Sequence, residues 1–222
     1  MEFIVNSNLK KYGISNVVIG IARNVNPHAP FGKELEEKFK DTEARVLAMD
    51  YTSVSMQPVI QGYCKMLGRV GRSIKKNPPT VSALIRNIQH RGSIPRINSI
   101  VEIYNMESLK SYLSIGGHDL DKLRFPLEFM VSGREDTFFP IGSASKHVEP
   151  TDYVYRDENG VVAWLDVRDA EFAKLDDNTK NAIFIIQGNE ETSVQMRVEA
   201  LERIRDDLAS CMPDMTFEIL IV

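Results

Sequence analysis

The spacing of apolar residues in the first half of the chain predicts strands followed by helices. EFIV and NVVIGIARNV are short, apolar and rich in β-branched residues, which is typical of strands. GKELEEKFKDTEARVLAM places Leu35, Phe39 and Val46 among charged residues, as an amphipathic surface helix does. Pro58 is suited to the first turn of a following helix, VIQGYCKMLGRVG, and Gly92 to the end of the next, VSALIRNIQHR.

The second half begins with one more helix and then changes to strands. Asn98 or Ser99 can cap IVEIYNMESLKSYLS. After the glycines at 116 and 117, RFPLEFMV predicts a strand, DYVYRDENGVVAWLDVR a hairpin, and NAIFIIQG a buried strand. TSVQMRVEALERIRDDLASCM is the clearest helix, and FEILIV predicts a last strand. Because helices and strands do not alternate regularly, we expect an α+β fold forming one compact domain over residues 1–222.

Charge is distributed unevenly along the chain. The 51 positions between Asp50 and Glu102 contain no acidic residue, although the chain's average of 31 in 222 would place about seven there. The same segment, which we call the basic band, carries eight cationic residues, whereas the net charge of the whole chain is −4. They are Lys65, Arg69, Arg72, Lys75, Lys76, Arg86, Arg91 and Arg96. The pattern favours a phosphate-binding surface, with helix faces that are simply solvated as the alternative.

Several common kinds of site are absent from the sequence. It contains no phosphate-binding GxxxxGK[ST], no dinucleotide-binding GxGxxG, no HExxH, no CxxC and no GxSxG. Cys64 and Cys211 have no metal-ligand spacing with each other or with the histidines, so we expect reduced thiols, no metal and no cofactor. No signal peptide and no apolar run of about 20 residues is visible, which predicts a soluble cytoplasmic protein without a membrane partner.

Residues 97–123 carry a resemblance to a known family. INSIVEIYN followed by DLDKL resembles the B3/B4 domain of the bacterial phenylalanyl-tRNA synthetase β subunit. PTVSALIRNI, IGGHDLDKL, FPIG and TKNAIFIIQGN, in this order, are similar to stand-alone proteins that carry this domain without the synthetase. The resemblance covers roughly residues 60–190, and the flanks are expected to complete the fold.

The resemblance implies helices around a β-sandwich and a role in editing. In the synthetase this domain hydrolyses tyrosine wrongly attached to the tRNA for phenylalanine. The implied partner is therefore tRNA or aminoacyl-tRNA, with a pocket for the amino acid moiety, and DNA is not expected. The implied activity is an aminoacyl-tRNA deacylase acting in trans. Two other functions stay open: a non-catalytic module that binds an amino-acid-like small molecule, and a module that docks an acidic protein partner.

Two residues are the candidates for catalysis. Asn105 aligns with an asparagine of the synthetase's editing pocket, where an amide can both donate and accept hydrogen bonds. The synthetase's editing histidine aligns with Gly116, and His118 lies two positions later. In an extended segment these two positions point to the same side, so His118 could substitute for that histidine, whereas in a helix they point apart. A hydrogen-bonded structural histidine is the alternative role.

Further polar residues are candidates for substrate binding. Asn98 lies in INSIVEIYN and aligns with the first asparagine of a pair in the synthetase, and Asp119 begins DLDKL, although a cap or a turn would also explain them. Lys180 and Asn181 precede the predicted buried strand, a usual position for a binding site. Asp166 and Arg168 end another strand, where an internal ion pair is the simpler expectation.

Overall fold

Two β-sheets packed face to face form the framework of the fold. The computed structural model describes residues 1–165 and 168–222, so the candidate at position 166 lies outside the described residues. The larger sheet has the order β1-β4-β7-β8-β9, the second has the order β11-β2-β10-β3, and β5 pairs with β6 alone. The strands are β1 (Phe3–Val5), β2 (Val18–Arg23), β3 (Gly116–Asp119), β4 (Leu127–Val131), β5 (Asp136–Phe138), β6 (Lys146–Val148), β7 (Tyr153–Asp157), β8 (Gly160–Trp164), β9 (Arg168–Asp169), β10 (Asn181–Ile186) and β11 (Thr216–Ile221).

The helices form a layer against the second sheet. They are α1 (Lys33–Ala48), α2 (Tyr51–Ser55), α3 (Pro58–Arg69), α4 (Thr80–Arg91), α5 (Ser99–Ser111) and α6 (Val194–Cys211). The architecture confirms the predicted α+β class, a mixed arrangement of sheets flanked by helices. The sequence analysis did not predict the short elements α2, β5, β6 and β9.

Local signals in the sequence explain where several helices begin and end. Pro58 is the first residue of α3, where a missing N–H costs nothing. Asn98 caps α5, because its side chain accepts a hydrogen bond from the Val101 N–H at 2.9 Å. Gly92 ends α4 with φ of 77°, a left-handed conformation that favours glycine.

Strand register decides which residues face the space between the sheets. Phe129, Tyr155, Ala163 and Asp169 stand side by side across β4, β7, β8 and β9. Tyr155 contacts His118 of β3, so this row faces the second sheet. Alternate residues, including Val154 and Trp164, face the other way.

A small second core covers the outer face of the larger sheet. There the β5–β6 pair packs Phe138 and Val148 against Val154, Val161 and Trp164. Trp164, the single tryptophan of the chain, is 6% exposed and belongs to this core.

In the described part of the chain, no helix combines the length and the apolar character that crossing a membrane requires.

Candidate functional site

A narrow cleft opens where the two sheets separate beside the first turn of α4. Its volume is ≈ 80 Å³. Gly116 of β3, Tyr155 of β7 and Asp169 of β9 line it deep inside, and Thr80 and Arg168 stand among its other lining residues. We call this space the inner cleft.

His118 lies buried beside the floor of the inner cleft. The segment 116–119 is extended, so positions 116 and 118 do share a side, but His118 is fully buried. Its Nε2 forms a short hydrogen bond with the Tyr155 hydroxyl and lies 4.0 Å from Asp169 Oδ1, while its Nδ1 is buried without a partner among the described residues. Burial lowers the pKa of His118 to about 3, so the ring is neutral at neutral pH. His118 therefore acts on the cleft through Tyr155 and Asp169.

Gly116 leaves no room for the histidine that the resemblance would place there. A Cβ atom at this position would lie 2.5 Å from the Tyr155 hydroxyl oxygen and 3.2 Å from His118 Nε2. Gly117 is equally confined, because a Cβ there would meet a ring carbon of Tyr104 at 2.7 Å. The two glycines thus allow β3 to approach the aromatic side chains that form the floor.

Asp169 is the most chemically versatile group of the inner cleft. Its side chain is 26% exposed, and burial raises its pKa from the ordinary 3.8 to about 7. A carboxyl group with this pKa can take up or release a proton near neutral pH. Burial also raises the pKa of the Tyr155 hydroxyl well above its ordinary value, which keeps it a hydrogen-bond donor.

Sequence reasoning did not select Tyr155 or Asp169. Each stands in a strand with an ordinary pattern, and only the register that aligns β7, β8 and β9 brings them together. Asp169 directly follows Arg168, which the sequence analysis did consider.

The inner cleft opens into a second, more exposed space with a positive lining, which we call the outer recess. Its volume is ≈ 340 Å³, and Thr80 and Arg168 line both spaces. Lys76, Lys146 and Arg168 line the recess, and its described lining contains no carboxylate. Arg168 Nη1 donates to the Ile141 carbonyl at 2.9 Å, which holds the guanidinium at the boundary between the two spaces.

Half of the basic band is neutralised by acids that lie outside it in the sequence. Lys65 and Arg69 pair with the acidic residues at 190 and 191 at 2.7–3.1 Å. Arg72 binds Asp152 at 2.6 Å, and Arg96 pairs with the glutamates at 36 and 102. A segment without acids therefore does not form a surface without acids.

The other four cationic residues of the band are exposed. Lys75, Lys76, Arg86 and Arg91 form no ion pair within the described ranges. The Arg86 guanidinium lies 5.1 Å from the centre of the Tyr51 ring and lines a neighbouring groove along α4. The part of the basic band available to an anion is thus the loop before α4 together with α4 itself.

The remaining candidates lie outside the lining of the inner cleft. Asp119 accepts from the Thr179 hydroxyl at 2.8 Å and lies 3.2 Å from Lys122 Nζ, which is a structural arrangement. Asn181 donates to both carboxylate oxygens of Asp121. Lys180 is exposed at the sheet edge, Asn105 is half-buried on α5, and Asn98 caps that helix.

Comparisons with known proteins agree with this architecture. The family model of the B3/4 domain matches residues 62–211. The phenylalanine–tRNA ligase beta subunit of Mycoplasma pneumoniae is 25% identical over 112 residues, which cover 50% of this chain and 13% of that protein. An N-terminal fragment of the phenylalanyl-tRNA synthetase beta subunit from Pyrococcus horikoshii superimposes with a TM-score of 0.52 at 13% identity, over 97% of this chain and 50% of that one. The solved structure thus shares the fold, and the chain corresponds to a small part of the curated relative.

Proposed function

This chain belongs to the B3/4 domain family, and on that basis we propose that it binds the aminoacylated end of a tRNA and hydrolyses the ester of a wrongly attached amino acid. The observation that carries the proposal is the junction of two spaces of different chemistry. An uncharged floor with one titratable carboxyl group opens directly into a recess lined by three cations. An aminoacyl-tRNA end has two matching parts: the aminoacyl ester fits the cleft, and the phosphate backbone fits the cationic recess.

The outer recess supplies the contacts for the nucleic acid. Lys76, Lys146 and Arg168 line the recess as donors for phosphate oxygens, and a guanidinium such as that of Arg168 can bind two oxygens of one phosphate group. Such contacts set affinity and register without reading sequence, and they make binding sensitive to salt. Lys75, Arg86 and Arg91 extend the positive surface along α4.

The inner cleft supplies the groups for hydrolysis. In the proposed reaction Asp169, in its ionised form, takes a proton from a water molecule as the water oxygen attacks the ester carbonyl. The Tyr155 hydroxyl donates to the carbonyl oxygen as that oxygen gains negative charge. The carbon–oxygen bond to the ribose then breaks, and the proton held by Asp169 passes to the ribose oxygen. In the tautomer that carries the proton on Nε2, His118 donates to the Tyr155 oxygen, which positions the hydroxyl and leaves its hydrogen for the substrate.

The size of the inner cleft predicts which aminoacyl groups enter it. A volume of ≈ 80 Å³ is far below the roughly 300–1,000 Å³ of clefts that enclose drug-sized ligands. Gly116 and Tyr155 approach each other too closely for the floor to become deeper. We therefore expect small aminoacyl side chains to be removed faster than tyrosyl groups.

A module that binds without hydrolysis is the second candidate. It is favoured by the complete burial of His118 and by the glycine at the position of the synthetase's histidine. Such a protein would retain the salt-sensitive contacts of the recess and would leave the ester intact.

The test is deacylation of a panel of correctly and wrongly charged tRNAs, combined with filter binding at several salt concentrations. Asp169→Asn should abolish hydrolysis and keep tRNA binding, whereas the exposed control Asp206→Asn should change neither. Tyr155→Phe should slow hydrolysis by about 100-fold or more, as loss of an oxyanion donor does. Binding without hydrolysis would support the second candidate, and the absence of both signals would refute the proposal.

A further inference from the structure

A second cavity lies on the outer face of the larger sheet, away from the inner cleft. Its volume is ≈ 310 Å³. Glu128 of β4 and Arg156 of β7 stand directly opposite each other in register and line it, together with Met130, Ser132, Arg134 and Glu158. Phe129 and Tyr155, which alternate with them, face the second sheet, so the sheet separates this outer-face cavity from the inner cleft.

Arg156 is a buried cation with an unused donor. Its side chain is 9% exposed, yet its Nε has no hydrogen-bond partner among the described residues. Nη2 donates to the Ser132 hydroxyl at 3.1 Å and lies 3.3 Å from Asp136 Oδ2. A buried donor without an acceptor costs free energy, so the protein alone does not fully partner this guanidinium.

The positive charge at this site is only partly compensated. Arg134 lies 3.6 Å from the same Asp136 carboxylate, so two guanidinium groups share one acid. Burial and the proximity of Arg134 lower the pKa of Arg156, which is the direction that an incoming carboxylate would reverse. One part of the cavity therefore favours a single negative charge.

The same cavity also presents acidic side chains, which favour a positive charge. Glu128, Asp157 and Glu158 line the cavity, and within the described residues none of the three forms an ion pair. With Asp136 they outnumber the two arginines, which disfavours a doubly charged phosphate. Met130 and Pro126 add an apolar wall.

We propose that the outer-face cavity binds a zwitterion of the α-amino acid class with an apolar side chain. Arg156, with Arg134, binds the carboxylate, Glu128 binds the ammonium group, and Met130 and Pro126 contact the side chain. The proposal is independent of the tRNA function, because it involves the opposite face of the sheet and none of the residues of the inner cleft or the outer recess.

The experiment follows the Nε–H signal of Arg156 by NMR in the full chain, identified by its loss in Arg156→Lys. The probes are L-leucine, isocaproate (which lacks the ammonium group), isoamylamine (which lacks the carboxylate) and inorganic phosphate. L-leucine should shift the signal saturably, isocaproate should bind at least about tenfold more weakly, and the other two should not bind. Glu128→Gln should weaken leucine to the level of isocaproate, and the exposed control Arg205→Lys should leave its affinity unchanged.

Three results would overturn the proposal. One is the absence of a saturable shift up to about 10 mM leucine, where even a ~1 mM site would be mostly filled. Another is binding of isocaproate or phosphate as tightly as leucine. The third is leucine binding to Arg156→Lys, measured by isothermal titration calorimetry, with the affinity of the unmodified protein. If circular dichroism shows that Arg156→Lys is unfolded, the titrations of the unmodified protein with the four probes, together with leucine binding to Glu128→Gln, still test the proposal.

Discussion

Polar side chains are buried in two places next to Trp164, and they differ in how completely their polar atoms are paired. On one side Arg72 donates from Nε and Nη2 to Asp152 Oδ1 at 2.8 and 2.6 Å, with its guanidinium 3.7 Å from the Trp164 ring centre. On the other side, at the inner cleft, His118 Nδ1 has no partner within residues 1–165 and 168–222, and the pKa of Asp169 is raised. Fully partnered burial fixes the fold, whereas incompletely partnered burial leaves groups available for chemistry.

The largest effect is expected from breaking the fully partnered cluster. Arg72→Met should destabilise the protein by about 3–5 kcal/mol, because Asp152, with 2% side-chain exposure, would remain as a buried charge without its cation. Urea denaturation measures this loss, and the exposed neighbour Lys75→Met serves as the control. A loss below about 1 kcal/mol would contradict this prediction and would show that Asp152 finds another partner.

The second effect concerns the pH dependence of stability, to which two groups at the inner cleft contribute in opposite directions. The folded-state pKa of His118, about 3, is below its ordinary 6.5, so its contribution to stability is lost as the pH falls from 6.5 towards 3. The folded-state pKa of Asp169, about 7, is above its ordinary 3.8, so its contribution is lost as the pH rises from 3.8 through 7. Between about pH 4 and 6.5 the two slopes oppose each other.

Removing either group should expose the slope of the other. Asp169→Asn should make stability rise with pH across this window by up to about 1.4 kcal/mol per pH unit. His118→Leu should make stability fall with rising pH, less steeply, because the Asp169 side chain keeps 26% of its exposure. Urea titrations at half-unit pH steps measure both slopes, and identical pH profiles in both variants and the unmodified protein would contradict the assignment.

A smaller loss of stability, expected at Arg69, tests whether Arg72 stabilises the protein because its ion pair is buried or because it forms an ion pair at all. Arg69 forms a similar ion pair with Glu190 at 2.7 Å, but its side chain is 40% exposed. Arg69→Gln should therefore cost only about 0.2–1 kcal/mol in the same urea experiment. A loss equal to that of Arg72→Met would mean that pairing alone, without burial, stabilises these cations.

The smallest effect on stability is expected at Lys76, which forms no ion pair within the described residues. Lys76→Gln should change the free energy of unfolding by no more than about 0.5 kcal/mol. It should nevertheless reduce the salt dependence of tRNA affinity by about one unit in the slope of log K against log salt, because one phosphate contact is lost. Lys33→Gln, on the exposed start of α1, is the matched control and should leave the slope unchanged.

The framework of the fold could be predicted from the sequence because its signals are local. The stripe of α6, the continuous apolar run of β10 and the hairpin of β7 and β8 can each be recognised within about 20 residues. The short strands β5 and β9 have too few residues for a pattern, and pairing with other segments creates them.

The candidate site depended on information that no local pattern contains. The extended conformation of the segment 116–119 was one of two alternatives, and pairing with β10 decides between them. The acids that neutralise Lys65 and Arg69 come from residues 190 and 191, far along the chain. Asp169 acquires its unusual pKa from burial, which only the assembled sheets provide.

The position of β2 has a consequence for how the chain folds. This strand of six residues lies between β10 and β11, and Val17 and Val222 exchange backbone hydrogen bonds at 2.8 and 3.0 Å. During synthesis β2 leaves the ribosome long before either neighbour, so its apolar residues stay unpaired until most of the sequence has followed. Closing so long a loop is entropically costly, and such distant pairing slows folding. We therefore expect the second sheet to form late, and a fragment limited to residues 62–211 to aggregate through the exposed edge of β10.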